Sequence, residues 1–346
     1  MRIITILFLS FLNGQTFSDY LSGPITLKLG LINGYDDNTL RFSNAEKAHA
    51  SIDKFIMGGA NTFDSHYSRA YIVGAKRIQL SSQGKYLYFY SRANISKYSN
   101  NKNRQHWSGN LKTTYKWGSY RKLSYSLRHL NSYYIRHYID RDISNNILKS
   151  CSFSDREQLV EATYPIKRSL WMTMQLSYNQ RYFDSPFTEF DLDILSSFFK
   201  ISKRIRDIGT IAVAFKFGDA TNLTYGTTAK ASLLDRSYKN FEWYVPLTIN
   251  NDVGIFNKIG VSIKQDFRSY IVEAVGDPLH SGRNHKDSKY DIWAENKINE
   301  KIIIKASLRY RYRKTDSQFD WVSKLKTFHQ WQAWISIEWK MLYDRY

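Results

Sequence analysis

The stretch 329–343 sets the pattern for the whole chain. Its odd positions Trp331, Ala333, Ile335, Ile337, Trp339, Met341 and Tyr343 are apolar or aromatic. The interleaved Gln332, Trp334, Ser336, Glu338 and Lys340 are mostly polar. A period of two with one greasy face and one wet face is the signature of a β-strand. This run is longer than the roughly five or six residues of an ordinary strand and matches the roughly ten tilted residues that carry a strand across a bilayer.

The same alternation recurs along the chain. It is clean at 25–32, where Ile25, Leu27, Leu29 and Leu31 oppose Thr26, Lys28 and Gly30. It is equally clean at 85–96, 106–117 and 121–134, the last two closing a hairpin at Gly118-Ser119. It continues at 157–166, 169–182, 188–202, 208–217, 223–234, 241–249, 259–270, 287–298 and 301–313, with 67–78 ambiguous in register. This reading yields about fifteen strands, whereas single-chain bacterial barrels use even numbers. Short and long connections alternate until about Leu234 and then lose step, which places one miscounted strand between Asp235 and Tyr270. The expectation is an all-β, antiparallel, up-and-down transmembrane barrel of about fourteen strands, within a range of about twelve to sixteen. Long external loops are expected at 44–66, 136–154 and 275–286. The first of these either stays outside or folds inward as a constriction.

Composition agrees with strands. The 346 residues hold 26 Tyr, 20 Phe and 9 Trp against 5 Pro, and aromatic residues suit a pleated surface where Pro does not. Mean hydropathy is negative, as a barrel with a polar interior allows. Trp117, Tyr120, Tyr133, Tyr134, Tyr182, Trp243, Tyr244, Trp321 and Trp339 are candidates for girdles at the two membrane interfaces. The competing reading of these rings is the core of a soluble sandwich, whose strands would be shorter. Residues 1–18 carry Arg2 and then an apolar run from Ile3 to Leu12, which reads as a secretory signal peptide with a weak cleavage site; a buried first strand is the alternative. The barrel would then occupy 19–346. The single Cys151 cannot form an internal disulfide.

The closing pattern at 329–343 resembles the last strand of bacterial outer-membrane β-barrels, where it serves as the assembly signal. The run Gly34-Tyr35-Asp36-Asp37-Asn38, with Arg41 nearby, resembles the opening of barrels of the surface-lipoprotein export type, without their helical domain. These resemblances imply a porin-like transport protein in the outer membrane of a Gram-negative-type envelope. They also imply membrane lipid, including anionic lipopolysaccharide, and the barrel-assembly machinery as partners.

The formal charge of +19 fits that setting better than nucleic acid, because Lys and Arg are scattered through alternating strands with no basic helix. If the apolar positions face lipid, the other face lines a pore with Arg92, Lys122, Arg128, Lys230, Lys264, Arg268, Lys305, Arg309, Arg311, Arg313 and Lys340. Asp191, Asp193, Asp266 and Glu338 are the expected counter-charges. Rings of fixed cations favour an anionic solute; the alternative is that these charges pair across neighbouring strands and stiffen the wall. Asp36, Asp37 and Asn38 offer oxygen ligands to a hard cation, but the spacing is not that of a calcium loop and a solvated turn competes. No metal site, cofactor or catalytic residue is expected: His129 and His137 near Asp140 and Asp142, and His280 and His285 near Asp277 and Asp287, show no catalytic spacing. The function expected is a passive channel with a basic lumen. The alternatives are a barrel that translocates a protein or lipid to the cell surface, and a plugged structural or adhesive barrel.

Overall fold

The computed structural model describes residues 23–81, 84–140, 142–143, 147–224, 235–250, 254–272 and 277–343. The candidate signal peptide 1–18 and Lys230 lie outside the described residues. Fourteen antiparallel strands form one closed barrel. They are β1 (Ile25–Asp36), β2 (Ser65–Gln79), β3 (Tyr86–Tyr98), β4 (His106–Gly118), β5 (Arg121–Ile139), β6 (Leu148–Lys167) and β7 (Leu170–Phe183), followed by β8 (Leu192–Ile205), β9 (Gly209–Asn222), β10 (Tyr238–Ile249), β11 (Lys258–Tyr270), β12 (Asn284–Lys297), β13 (Ile302–Asp316) and β14 (Phe328–Tyr343). Each strand pairs with its sequence neighbours, and β1 pairs with β14 from Ile25↔Tyr343 to Asp36↔Gln332. Closure leaves no open edge, the condition a sheet must meet inside hydrocarbon.

The parity problem is resolved at 223–234, expected as a strand. β9 pairs directly with β10, so the wall has no place for a strand between them. Of that stretch, 225–234 lies outside the described residues. The miscount therefore falls just before the interval 235–270 where the connection lengths had put it. The connection 136–154 is also mostly strand, since β5 runs on to Ile139 and β6 begins at Leu148.

The connections divide by end. The turn end carries 80–85, 119–120, 168–169, 206–208, 250–257 and 298–301. The loop end carries L1 (37–64), L2 (99–105), L3 (140–147), L4 (184–191), L5 (223–237), L6 (271–283) and L7 (317–327). L1 holds helix α1 (Asn44–Ile52) and L7 holds α2 (Asp320–Lys326).

Alternation sorts the side chains. On β14, Trp331, Ile335, Ile337 and Trp339 are exposed on the outside, while Gln330 is buried within. On β9, Ile211, Val213, Phe215 and Phe217 are exposed, while Ala212 and Ala214 are buried. A continuous exposed apolar surface of this size would aggregate in water and is the lipid face of a membrane barrel. At the loop side of this face Tyr290, Tyr310 and Trp331 stack across strands, with centroids 6.3 Å and 4.6 Å apart. At the turn end Tyr120 stacks at 4.3 Å on Trp171, which has the inward parity of Thr173 and Ser177 and so does not belong to this face. Tyr133 and Tyr134 do not join a girdle. Two β-bulges in β5, between Leu130 and Tyr133 and between Tyr134 and Arg136, re-aim this stretch. Tyr134 is consequently packed under L1.

Strands about 4.8 Å apart and tilted about 40° close fourteen members on a cylinder about 28 Å across. Wall side chains reaching about 6 Å inward leave a central width on the order of 15 Å, so the bore must hold either water or loops.

Candidate functional site

The functional candidate is the interior of the barrel and its loop-end mouth. It begins at the seam. Asp36, the last residue of β1, accepts from Gln330 Nε2 at 2.8 and 2.9 Å, from Gln332 Nε2 at 2.8 Å and from the Asn38 backbone at 3.0 Å. Asp37 accepts from the Trp331 backbone at 2.8 Å, and Asn38 donates to the carbonyls of Phe42 and His329. The Gly-Tyr-Asp-Asp-Asn run is thus a clasp between the first and last strands. Protein donors fill the Asp36 oxygens, and among the described residues no cluster is arranged for a metal.

The clasp turns L1 inward. Arg41 adopts a positive φ of 57° and α1 follows, capped by a Ser43–Glu46 capping box at 2.9 and 3.1 Å. Leu40, Phe42, Ala50, Met57 and Ala60 bury themselves against Tyr134 of β5, so L1 carries a small core across the mouth. A charged latch accompanies it. Arg136 of β5 reaches Glu46 Oε1 at 2.5 Å and donates to the carbonyls of Leu40 and Arg41; Lys326 of α2 lies 3.9 Å from the same Glu46. L1 thus takes the inward of its two expected courses.

The sequence-derived lining residues fall as follows. Arg92 stacks over Tyr71 at 4.1 Å and donates to Asn94. Lys122 shares Glu161 with Lys112, at 2.7 and 3.2 Å. Arg128 pairs with Glu157 at 3.1 Å, and Lys264 with Glu242 at 2.5 Å. Arg268 lies 4.1 Å over Tyr238 and 4.0 Å from Asp266, and Lys305 lies 3.9 Å over Trp293. Arg309 pairs with Asp291 at 2.6 Å, while Arg311 and Arg313 share Asp287. Lys340 sits near the turn end, opposite Lys28 in register, and Lys28 pairs with Glu338 at 2.7 Å. These residues surround the bore rather than meeting at one point.

Two expected counter-charges sit elsewhere. Asp193 shares the outer face with Leu195 and Phe199, and accepts from the Tyr178 hydroxyl at 2.6 Å. Asp191 lies in L4 and accepts from the Phe183 backbone. The reason is register: the strand begins only at Leu192, and odd positions of β8 point outward.

Sequence reasoning noticed Arg41 only as part of the opening run, and missed the loop-borne cations Arg104 and Arg283, and also Arg136, which the expected 136–154 loop concealed. Arg104 of L2 is buried, donates to the Tyr134 carbonyl at 3.2 Å and stacks over Tyr133 at 4.6 Å. Burial, and then the Arg311 guanidinium, lower the Arg41 pKa to about 10. Burial lowers Lys326 to about 8, although Glu46 opposes the shift. His280 is lowered to about 4, burial outweighing its 2.7 Å contact with Asp277. Asp277 is itself held below the usual carboxylate range: burial raises it, but the hydrogen bond and charge of His280 outweigh that. The histidines are dispersed, with His129 on the outer wall against Trp107, His137 on the Tyr134 hydroxyl, and His285 on Thr315.

A closed barrel with an apolar outer belt, a polar interior and inward-folded loops has the architecture of outer-membrane β-barrels. No family model and no curated protein matches the chain. Among solved structures it is similar to OmpTdeltaL8, a loop deletion mutant of the outer membrane protein OmpT of Vibrio cholerae. The identity is 10%, with 92% of this chain and 100% of that one covered, and the TM-score is 0.45. It is also similar to OccD3 (OpdP) of Pseudomonas aeruginosa, at 11% identity, 94% and 97% coverage and a TM-score of 0.43. An anion-selective porin of Comamonas acidovorans follows, at 8% identity, 92% and 98% coverage and a TM-score of 0.43.

Proposed function

We propose that the protein is a passive channel of the outer membrane whose basic lumen favours anionic solutes. The supporting observation is the way charge is shared. Glu46, Glu161 and Asp287 each serve two cations. Arg92, Lys200, Lys216, Lys289 and Lys305, on the inner face, make no ion pair among the described residues. Fixed cations in excess within a low-dielectric wall concentrate anions. In this reading residues 1–18 direct export, the barrel-assembly machinery reads β14, the loop end faces outward, and anionic lipopolysaccharide surrounds it. Reversal potentials in planar bilayers under a KCl gradient test the proposal. Anion preference is expected, and the double substitution Lys289→Glu with Lys305→Glu should move the potential toward zero. Cation preference, or a folded barrel that never conducts, sinks it.

A plugged structural or adhesive barrel is favoured by one observation, the small core that L1 carries across the mouth. Under that reading the intact chain does not conduct, and conductance appears only when 44–57 is deleted. Translocation of a protein or lipid rests on the opening run, whose side chains are engaged in the seam. A surface protein stranded inside on deletion, with solute uptake unchanged, would support it.

A further inference from the structure

Arg283, the residue before β12, lies on the same inward parity as His285 and Asp287 and is 5% exposed. Its guanidinium stacks over Tyr270 at 4.1 Å, yet its Nε is buried with no hydrogen-bond partner, and no carboxylate pairs with it among the described residues. The acids nearby are already engaged: Asp287 holds Arg311 and Arg313, Asp277 holds His280, and Glu46 holds Arg136 and Lys326. Around His285, whose Nδ1 meets Thr315, lie the charges of Arg313, Arg283, Arg268 and Lys326. A stack on one ring replaces only part of the hydration that a buried guanidinium gives up, so such a group needs a counter-ion.

We propose that this corner of the mouth is a binding site for a phosphate-class oxyanion, with Arg283 as its anchor and Arg268, Arg313 and Lys326 supplying the surrounding charge. An orphaned Nε–H beside Nη–H groups presents the planar fork that grips two oxygens at once, which chloride cannot satisfy. Several cations in excess favour a dianion over a monocarboxylate. Arg268 and Arg313 keep 28% and 23% of their side-chain surface exposed, which gives the ligand a way in from the bore. Free phosphate and a phosphorylated solute offer the same chemistry here. The inference deepens the anion-channel reading and rests on it for the ligand's route.

The test uses the folded full chain in detergent, with unfolding followed by heat-modifiable gel migration in phosphate, acetate or chloride at equal ionic strength. Phosphate should raise the midpoint of the wild type above either other anion. Arg283→Gln should weaken the phosphate response by about ten-fold or more, yet be at least as stable as wild type in chloride, because an unpaired buried charge is gone. Arg283→Lys keeps the charge without the fork and should also lose the response, which covers the case of a Gln variant that does not fold. Arg206→Gln, at an exposed turn-end site, should respond as wild type. Phosphate acting no better than acetate or chloride on the wild type, or a full response in both Arg283 variants, overturns the site. A phosphate response in a barrel that never conducts removes the channel reading alone. Anion selectivity without a phosphate response removes the site alone.

Discussion

Replacing Glu46 by Gln should release L1 from the mouth while leaving the barrel intact. Glu46 performs two jobs with two oxygens. Oε2 accepts from the Ser43 backbone at 2.9 Å as half of the capping box, and Oε1 meets Arg136 at 2.5 Å and Lys326 at 3.9 Å. Gln fits the cap, since it is the other residue this position favours, so α1 should persist. What disappears is the carboxylate charge that Arg136 and Lys326 share. The Glu46 and Arg136 side chains are 6% and 10% exposed, so solvent screens the loss poorly. Removing one member of a buried pair costs about 3–5 kcal/mol. Arg136 retains its bonds to the carbonyls of Leu40 and Arg41, which favours the low end, about 3 kcal/mol. That is roughly a hundred-fold rise in the undocked population of L1. Trypsin acting at Lys47 and Lys54 reads that population when docking is fast relative to cleavage. Cleavage within 44–57 should accelerate roughly a hundred-fold, with the unfolding midpoint of the barrel unchanged because no strand pair is touched. A double-mutant cycle with Arg136→Gln should show coupling of about 1.5 kcal/mol or more. Unchanged cleavage in a folded Glu46→Gln chain would refute the latch, as would additive single effects.

Two further outcomes follow from other parts of the molecule. His280 has a depressed pKa of about 4, so L6 holds it neutral. The unfolded loop takes up a proton below about 6.5, so stability is full above pH 6.5 and falls as pH drops toward 4, by up to about 3 kcal/mol. Asp277, shifted downward, loses its contribution only at still lower pH. The protection factors of the 277–283 amides, which correct for the fall of the intrinsic exchange rate with pH, should decrease between pH 6.5 and 4.5 in wild type and stay flat in His280→Gln; flat protection in the wild type defeats the assignment. On the seam, a Cβ at Gly30 would lie 2.0 Å from the Tyr71 ring, which bonds Glu338 at 3.0 Å and carries Arg92 above it. Gly30→Val should displace that ring at a cost of about 1–3 kcal/mol, read as a lower midpoint on heat-modifiable gels. Gly109→Val, whose nearest neighbour is 3.9 Å away, serves as the control.

The wall was legible because lipid on one side and water on the other impose a period of two, and the register of 301–313 or 329–343 could be read from the residues alone. Connections carry no such period. The run 223–234 alternated by composition without belonging to the wall, and residues from Arg136 onward looked like loop because they are polar, although they face an interior that is itself polar. Asp193 shows the converse limit: a charge on the outer face is indistinguishable in sequence from one inside when it lies at the rim. Pairing was beyond reach for a different reason. Asp287 serving two arginines depends on the β12–β13 register, and Glu46 meeting Arg136 and Lys326 depends on how three distant segments cross one mouth. The acidic opening run was readable as a motif, but its role as a clasp required knowing that β1 meets β14.

That clasp also fixes an order of events. Asp36 and Asp37 find their partners only on the last strand, and Glu46 finds Lys326 only once L7 has been made and placed. The first loop of the chain therefore cannot complete its contacts until the final strand has arrived. Until then the wall lacks its seam and L1 has its contacts with β5 to hold it. Sealing the cylinder and completing the contacts of its first loop therefore coincide, so a chain halted short of β14 lacks the seam and the clasp together.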